Sequence, residues 1–116
     1  MAVQAWIEHR PPWLQIQPLR SAPDPGLDYL DRGEREAITL AEEMGADRIL
    51  LDESDGRREA ERRNLRFIGT LGILRRAARL DWIDLPSTLR RLQQTTFHVS
   101  TELIRSLLDE EAARNK

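Results

Sequence analysis

Apolar positions recur at helical spacing through most of the chain, and only short runs read as strands. Residues 2–9 (AVQAWIEH) predict a short helix. It must end before Pro11-Pro12, because proline has no amide hydrogen and clashes with the preceding turn. Trp13, Leu14, Ile16 and Leu19, interleaved with Gln15 and Gln17, predict a short extended segment, and residues 21–26 (SAPDPG) a loop. Asp31 then caps a helix with the apolar face Ala37, Ile38, Leu40, Ala41 and Met44, stopped by Gly45. Arg48 to Leu51 reads as a buried strand. Asp52 to Gly56 reads as a loop, followed by a charged helix over Arg57 to Asn64 and a second strand over Leu65 to Ile68.

Three more helices are expected beyond Gly69. The first runs through Leu71, Leu74, Ala77, Ala78 and Leu80, the second from Pro86 to Thr95. The third, Ser100 to about Arg114, presents Leu103, Ile104, Leu107 and Leu108 on one face. Helix, strand, helix, strand in this order predicts an α/β fold with a parallel sheet, crossover helices and a helical C-terminal part. Two central strands are few for such a sheet, which normally is covered on both faces. The expectation is therefore a sheet that is incomplete or that leans on a partner.

Composition narrows the class. A chain of 116 residues suits one domain, 1–116, able to bury roughly two-thirds of its unfolded surface. It has no cysteine, which excludes disulfides and thiolate metal sites and points to the cytoplasm. No apolar run is long enough for a membrane span, and the first ten residues lack signal-peptide organisation. Net charge is −2, unevenly distributed. Residues 1–56 carry 12 acids and 5 bases, whereas residues 57–91 carry 10 arginines and 4 acids. An acidic centre beside a basic surface suits metal-dependent work on a polyanion, although 17 arginines among 18 basic residues also suits a GC-rich coding sequence.

Ligands of open α/β sheets bind beyond the carboxyl ends of the strands. Asp52 stands there, and Glu34 opens the preceding helix, so the two carboxylates are expected to face one crevice. Glu53 and Asp55 add negative charge nearby. Clustered carboxylates without cysteine favour Mg²⁺ or Mn²⁺, ions that activate water and neutralise a developing phosphate charge. Each acid also has a structural explanation. Asp31 and Glu34 have capping-box spacing, Asp52 can satisfy backbone donors in the following turn, and Asp55 can cap the next helix. Arg57 and Arg58 are candidates for holding phosphates, as are Arg62, Arg63, Arg75, Arg76 and Arg79. Their alternative is a solvated face tied by pairs such as Glu59 with Arg63. His9 and His98 have no nucleophile or metal-ligand partner in the sequence. Trp6, Trp13 and Trp82 read as packing residues, and Gly69-Thr-Leu-Gly72 is too sparse for a phosphate loop.

Taken in order, Leu30-Asp-Arg-Gly-Glu34-Arg-Glu36-Ala-Ile38, Gly45-Ala-Asp, Ile49-Leu-Leu-Asp52-Glu53, Gly56-Arg-Arg, Gly69-Thr-Leu-Gly72-Ile-Leu and Phe97-His-Val-Ser100 resemble bacterial PIN-like domains. The subgroup is related to the toxin ribonucleases of toxin–antitoxin pairs, and the similarity runs from about Pro11 to the end. The resemblance implies a Rossmann-like parallel sheet whose carboxylates bind Mg²⁺ or Mn²⁺ and cut RNA. It makes Glu34 and Asp52 the catalytic acids and Glu53 or Asp55 peripheral metal contributors. RNA and an antitoxin or second protein chain are the implied partners.

The family's first strand carries an essential aspartate and the helices after it a further acid. Neither has a counterpart here, and Glu8 does not align with the second. The expectation is an N-terminally shortened PIN-like domain with weak or absent nuclease activity; an upstream start codon would instead belong to an intact nuclease. The alternative is a non-catalytic binding or assembly module, homo-oligomeric or paired with a partner through an exposed sheet edge.

Overall fold

A computed structural model describes residues 2–115. The chain divides between Asp47 and Arg48 into two compact units. In the first, helix α1 (Ala2–Glu8) stops ahead of the two prolines, as their chemistry requires. Residues 11–20 form no strand. Instead of the expected extended segment, the amide of Leu14 donates back to the Pro11 carbonyl in a turn. Pro12 and Pro18 lack the amide hydrogens a ladder needs, and Trp13 and Ile16 stay exposed. Trp13 meets Trp6 edge-on, with ring centroids 6.3 Å apart. A short 3₁₀ turn (Pro25–Leu27) is capped by Asp24 and buries Leu27.

Helix α2 (Arg32–Met44) begins as its sequence predicts, with the Asp31 carboxylate accepting from the Glu34 amide at 2.8 Å. Ile38 and Ala41 are buried, whereas Met44 at the end of the predicted face is exposed. Gly45 closes the helix at φ 58°, a left-handed conformation that glycine adopts without a Cβ penalty. A polar link ties the preceding loop to this helix. The Glu43 carboxylate accepts from the amides of Arg20 and Ser21 and from the Ser21 hydroxyl, at 3.0–3.1 Å. These bonds, led by that from the Arg20 amide, hold the Glu43 carboxyl below its ordinary pKa.

The second unit opens with the expected parallel pair. Strand β1 (Ile49–Leu50) lies beside β2 (Phe67–Ile68), with Ile49 opposite Phe67 and Leu50 opposite Ile68. Ile49 and Leu51 are buried, but Leu50 between them is 53% exposed, so the run is not buried on both faces as its composition predicts. The crossover helix α3 (Ser54–Arg62) starts three residues earlier than expected. Its N-cap position is Glu53, and Asp55 sits inside the first turn, where its charge meets the helix dipole and not the cap. Glu59 corrects the expectation of a solvated face: it is 3% exposed and accepts from Arg62 and Arg63 at 3.1 and 2.8 Å.

Helices α4 (Thr70–Arg79), α5 (Leu85–Gln93) and α6 (Thr101–Arg114) pack around Ala78, Leu85, Leu89, Ile104 and Leu107. Asp84 caps α5 and Ser100 caps α6 through their side chains. Arg114 donates to the Ala78 carbonyl at 3.1 Å and so ties the end of α6 to α4. No helix among the described residues is long and apolar enough to cross a membrane.

Candidate functional site

Parallel pairing brings the carboxyl ends of β1 and β2 side by side, and the chain leaves β1 through Asp52 and β2 through Gly69. The two exits are bonded to each other. Asp52 accepts from the Thr70 amide through Oδ1 at 2.8 Å and from the Thr70 hydroxyl through Oδ2 at 2.7 Å. Gly69, the N-cap position of α4, has no side chain to do this, so a carboxylate from the neighbouring strand end serves as the cap. The donors that Asp52 satisfies therefore lie 18 residues away and not in its own following turn.

Arg57, from the first turns of α3, completes the arrangement. Its Nε donates to the Leu51 carbonyl at 2.9 Å, an Nη lies 3.8 Å from Asp52, and the guanidinium stands over the Phe67 ring at 5.4 Å. A Cβ built on Gly69 would lie 2.1 Å from that guanidinium and 3.1 Å from Asp52. The glycine lets the Arg57 guanidinium lie over its α-carbon beside Asp52. This close approach is the physical content of the sparse Gly69-Thr-Leu-Gly72 element.

These groups line an open cleft of about 440 Å³. Its wall includes Arg75 from α4, Phe97 and His98 from the loop before α6, and Leu103 from α6. Leu103 is the member of the predicted α6 face that stays exposed, because it borders the cleft and not the core. His98 reads as unremarkable in sequence, since the charged groups that share the cleft with it, Asp52, Arg57 and Arg75, are remote along the chain. Of the arginines expected to hold phosphates, Arg57 and Arg75 line the cleft and Arg58 does not. Arg62 and Arg63 are occupied by Glu59. Trp82 is exposed away from the cleft.

Within the second unit, the expected metal ligands do not share one wall. Asp52 is in the cleft wall, Glu53 and Asp55 are exposed on the start of α3 outside that wall, and Glu34 belongs to the first unit. Among the described residues no three acids or histidines gather closely enough to hold a metal ion.

An α/β protein with a polar cleft at the carboxyl ends of parallel strands is the class these features define. Within that class, a family profile described as a PIN domain matches residues 2–113, and the chain belongs to the PIN domain family. Nothing among curated proteins or solved structures matches the chain. Membership makes a nuclease-like function the general expectation, and PIN domains typically use divalent metal ions. The cleft does not fit such an ion by itself. Mg²⁺ requires near-octahedral oxygen ligands, and among the described residues Asp52 is the one carboxylate in the wall. Both its oxygens already accept from Thr70, and Arg57 offsets its charge.

Proposed function

We propose that this chain is a nuclease-type PIN domain that binds single-stranded RNA in the cleft beyond β1 and β2 and cleaves it poorly. The observation that carries the reading is the joint presence of Arg57, Arg75, His98 and Phe97 in that cleft, in a chain of the PIN family. Guanidinium forks suit phosphates, and an aromatic ring suits an unstacked base. Glu34 and Asp52 are the acids assigned to any Mg²⁺- or Mn²⁺-dependent hydrolysis, with Glu53 and Asp55 peripheral. With one carboxylate in the wall, cleavage is slow beside RNA binding. A toxin-like role, with an antitoxin as protein partner, belongs to the same reading.

The test is a ribonuclease assay of the chain with Mg²⁺, Mn²⁺ and EDTA, beside Glu34→Gln and Asp52→Asn. The expected result is RNA binding in all three proteins, with weak, EDTA-sensitive cleavage lost in both variants. Cleavage that survives EDTA and both substitutions would remove the metal and the two acids from the reading, and absence of RNA binding would remove the cleft.

One observation favours a second reading. Among the described residues the sheet has two strands, so each keeps an unpaired backbone edge, which suits an assembly module that pairs along a strand edge. Sedimentation across a concentration series decides it: a monomer at every concentration excludes self-pairing.

A further inference from the structure

A second groove, of about 330 Å³, adjoins the cleft and is more basic. Four guanidiniums line it: Arg48, just before β1, and Arg75, Arg76 and Arg79 on α4. Ile68, Gly72 and Arg75 are common to both walls, so the two hollows are continuous over the first turns of α4. Gly72 presents no side chain there; a Cβ would already lie 3.2 Å from Ile68.

The charge in this groove is only partly answered. Glu110 of α6 meets Arg75 at 3.6 Å and is hydrogen-bonded to Arg79, so one carboxylate serves two arginines. Arg48 and Arg76 have no acidic partner among the described residues. Arg76 and Arg79 lie in the last turn of α4, where cations favour the helix dipole, but like charges three and four residues apart repel along a helix face and offset part of that gain. Among the described residues, Arg48 and Arg76 do not hold the fold through an ion pair. An exposed surface that concentrates positive charge at the mouth of a cleft raises the local concentration of polyanions.

Resting on the cleft reading above, we infer that this groove is a lane for the phosphate backbone of the same RNA strand. Arg75 marks the junction, and Arg48 and Arg76 are the contacts that carry the strand away from the cleft. Glu110 acts as a brake on the lane, because Arg75 and Arg79 must leave it to reach a phosphate. The lane reads no sequence: guanidinium–phosphate contacts position a strand without distinguishing bases.

The experiment measures binding of a fluorescein-labelled uridine 12-mer by anisotropy, from low to moderate salt. The proteins are the full chain, Arg48→Ala with Arg76→Ala, Glu110→Gln, Arg57→Ala as the cleft reporter, and Arg90→Ala with Arg91→Ala. The last pair loses the same charge from α5, outside both hollows. Removing two phosphate contacts should weaken binding roughly tenfold and flatten the log–log salt slope by about 1.4, at about 0.7 per contact on a single strand. The α5 pair should stay within about twofold, and Glu110→Gln should tighten binding about threefold. Equal losses from the two double variants reduce the lane to bulk charge and overturn it, while loss with Arg57→Ala still upholds the cleft. Failure of the unaltered chain to bind RNA at all removes the cleft reading and the lane together. Polyglutamate bound with the same dependence on Arg48 and Arg76 makes the groove a surface for an acidic protein and overturns the RNA lane. Should the Arg48/Arg76 variant not fold, Glu110→Gln decides by its sign: unchanged or weaker binding overturns the lane.

Discussion

In the unit up to Asp47, the loop before α2 is anchored by hydrogen bonds to one carboxylate, Glu43, and large side chains such as Trp13 and Ile16 remain exposed. In the unit from Arg48 onward, three helices enclose Leu85, Leu89 and Ile104, and the ion pairs of Glu110 and Arg114 sit around that cluster. The contrast is between tethering by polar groups and enclosure of apolar ones. Polar tethers answer to pH and salt, because their strength depends on ionisation. Apolar enclosure answers to volume, because interiors are close-packed. The cleft belongs to the second kind of unit, so its polar groups are presented from a packed base.

The largest effect should come from Leu89→Ala. Leu89 is fully buried in the three-helix cluster, and its truncation should cost about 2–5 kcal/mol in urea unfolding. Ile16→Ala in the other unit should change stability by less than about 0.5 kcal/mol, and comparable losses at the two positions would erase the contrast. Asp52→Ala comes next, because it removes the cap of α4. A loss of about 1 kcal/mol is expected, together with faster hydrogen exchange at the Thr70 amide. Unchanged exchange there would show that the bond is not formed in solution.

Gly69→Ala should cost less stability, since the displaced atoms are the flexible end of Arg57, but it should lower RNA affinity several-fold by expelling that guanidinium. A variant with full affinity would detach Arg57 from binding. The smallest effect is the pH response of the Glu43 tether. The folded carboxyl titrates below its ordinary value of 4.5, so its contribution is complete above that pH and is lost as pH falls through the folded value. Protection of the Arg20 and Ser21 amides, relative to intrinsic exchange at each pH, should fall over that interval and not in Glu43→Gln, whose protection is low throughout. A fall common to both proteins would assign the response elsewhere.

Helix ends were legible in the sequence where the signal is local. Asp31 and Gly45 act within one turn of themselves, and each does what its chemistry predicts. Alternation of helix and strand was enough for the parallel pair. What escaped was set at a distance. Asp52 is bonded to Thr70 across the sheet, and no local rule links positions 18 apart. The pairing of Glu59 with Arg63 was legible from its spacing, but the burial of Glu59 was not, because it depends on what packs over the helix. Asp55 resembles a cap, but α3 begins before it. Arg75 was legible as a candidate for holding phosphates, but His98 and Leu103 only as members of a loop and a helix, because a shared wall is a property of packing.

The bond between Asp52 and Thr70 makes one carboxylate answer to two masters. A cation or an RNA hydroxyl that claims its oxygens competes with the first turn of α4 for them. Occupancy at the strand end would then register as fraying of a helix whose opposite end is held by Arg114, and a spectroscopic label on Thr70 would sense a ligand it never touches.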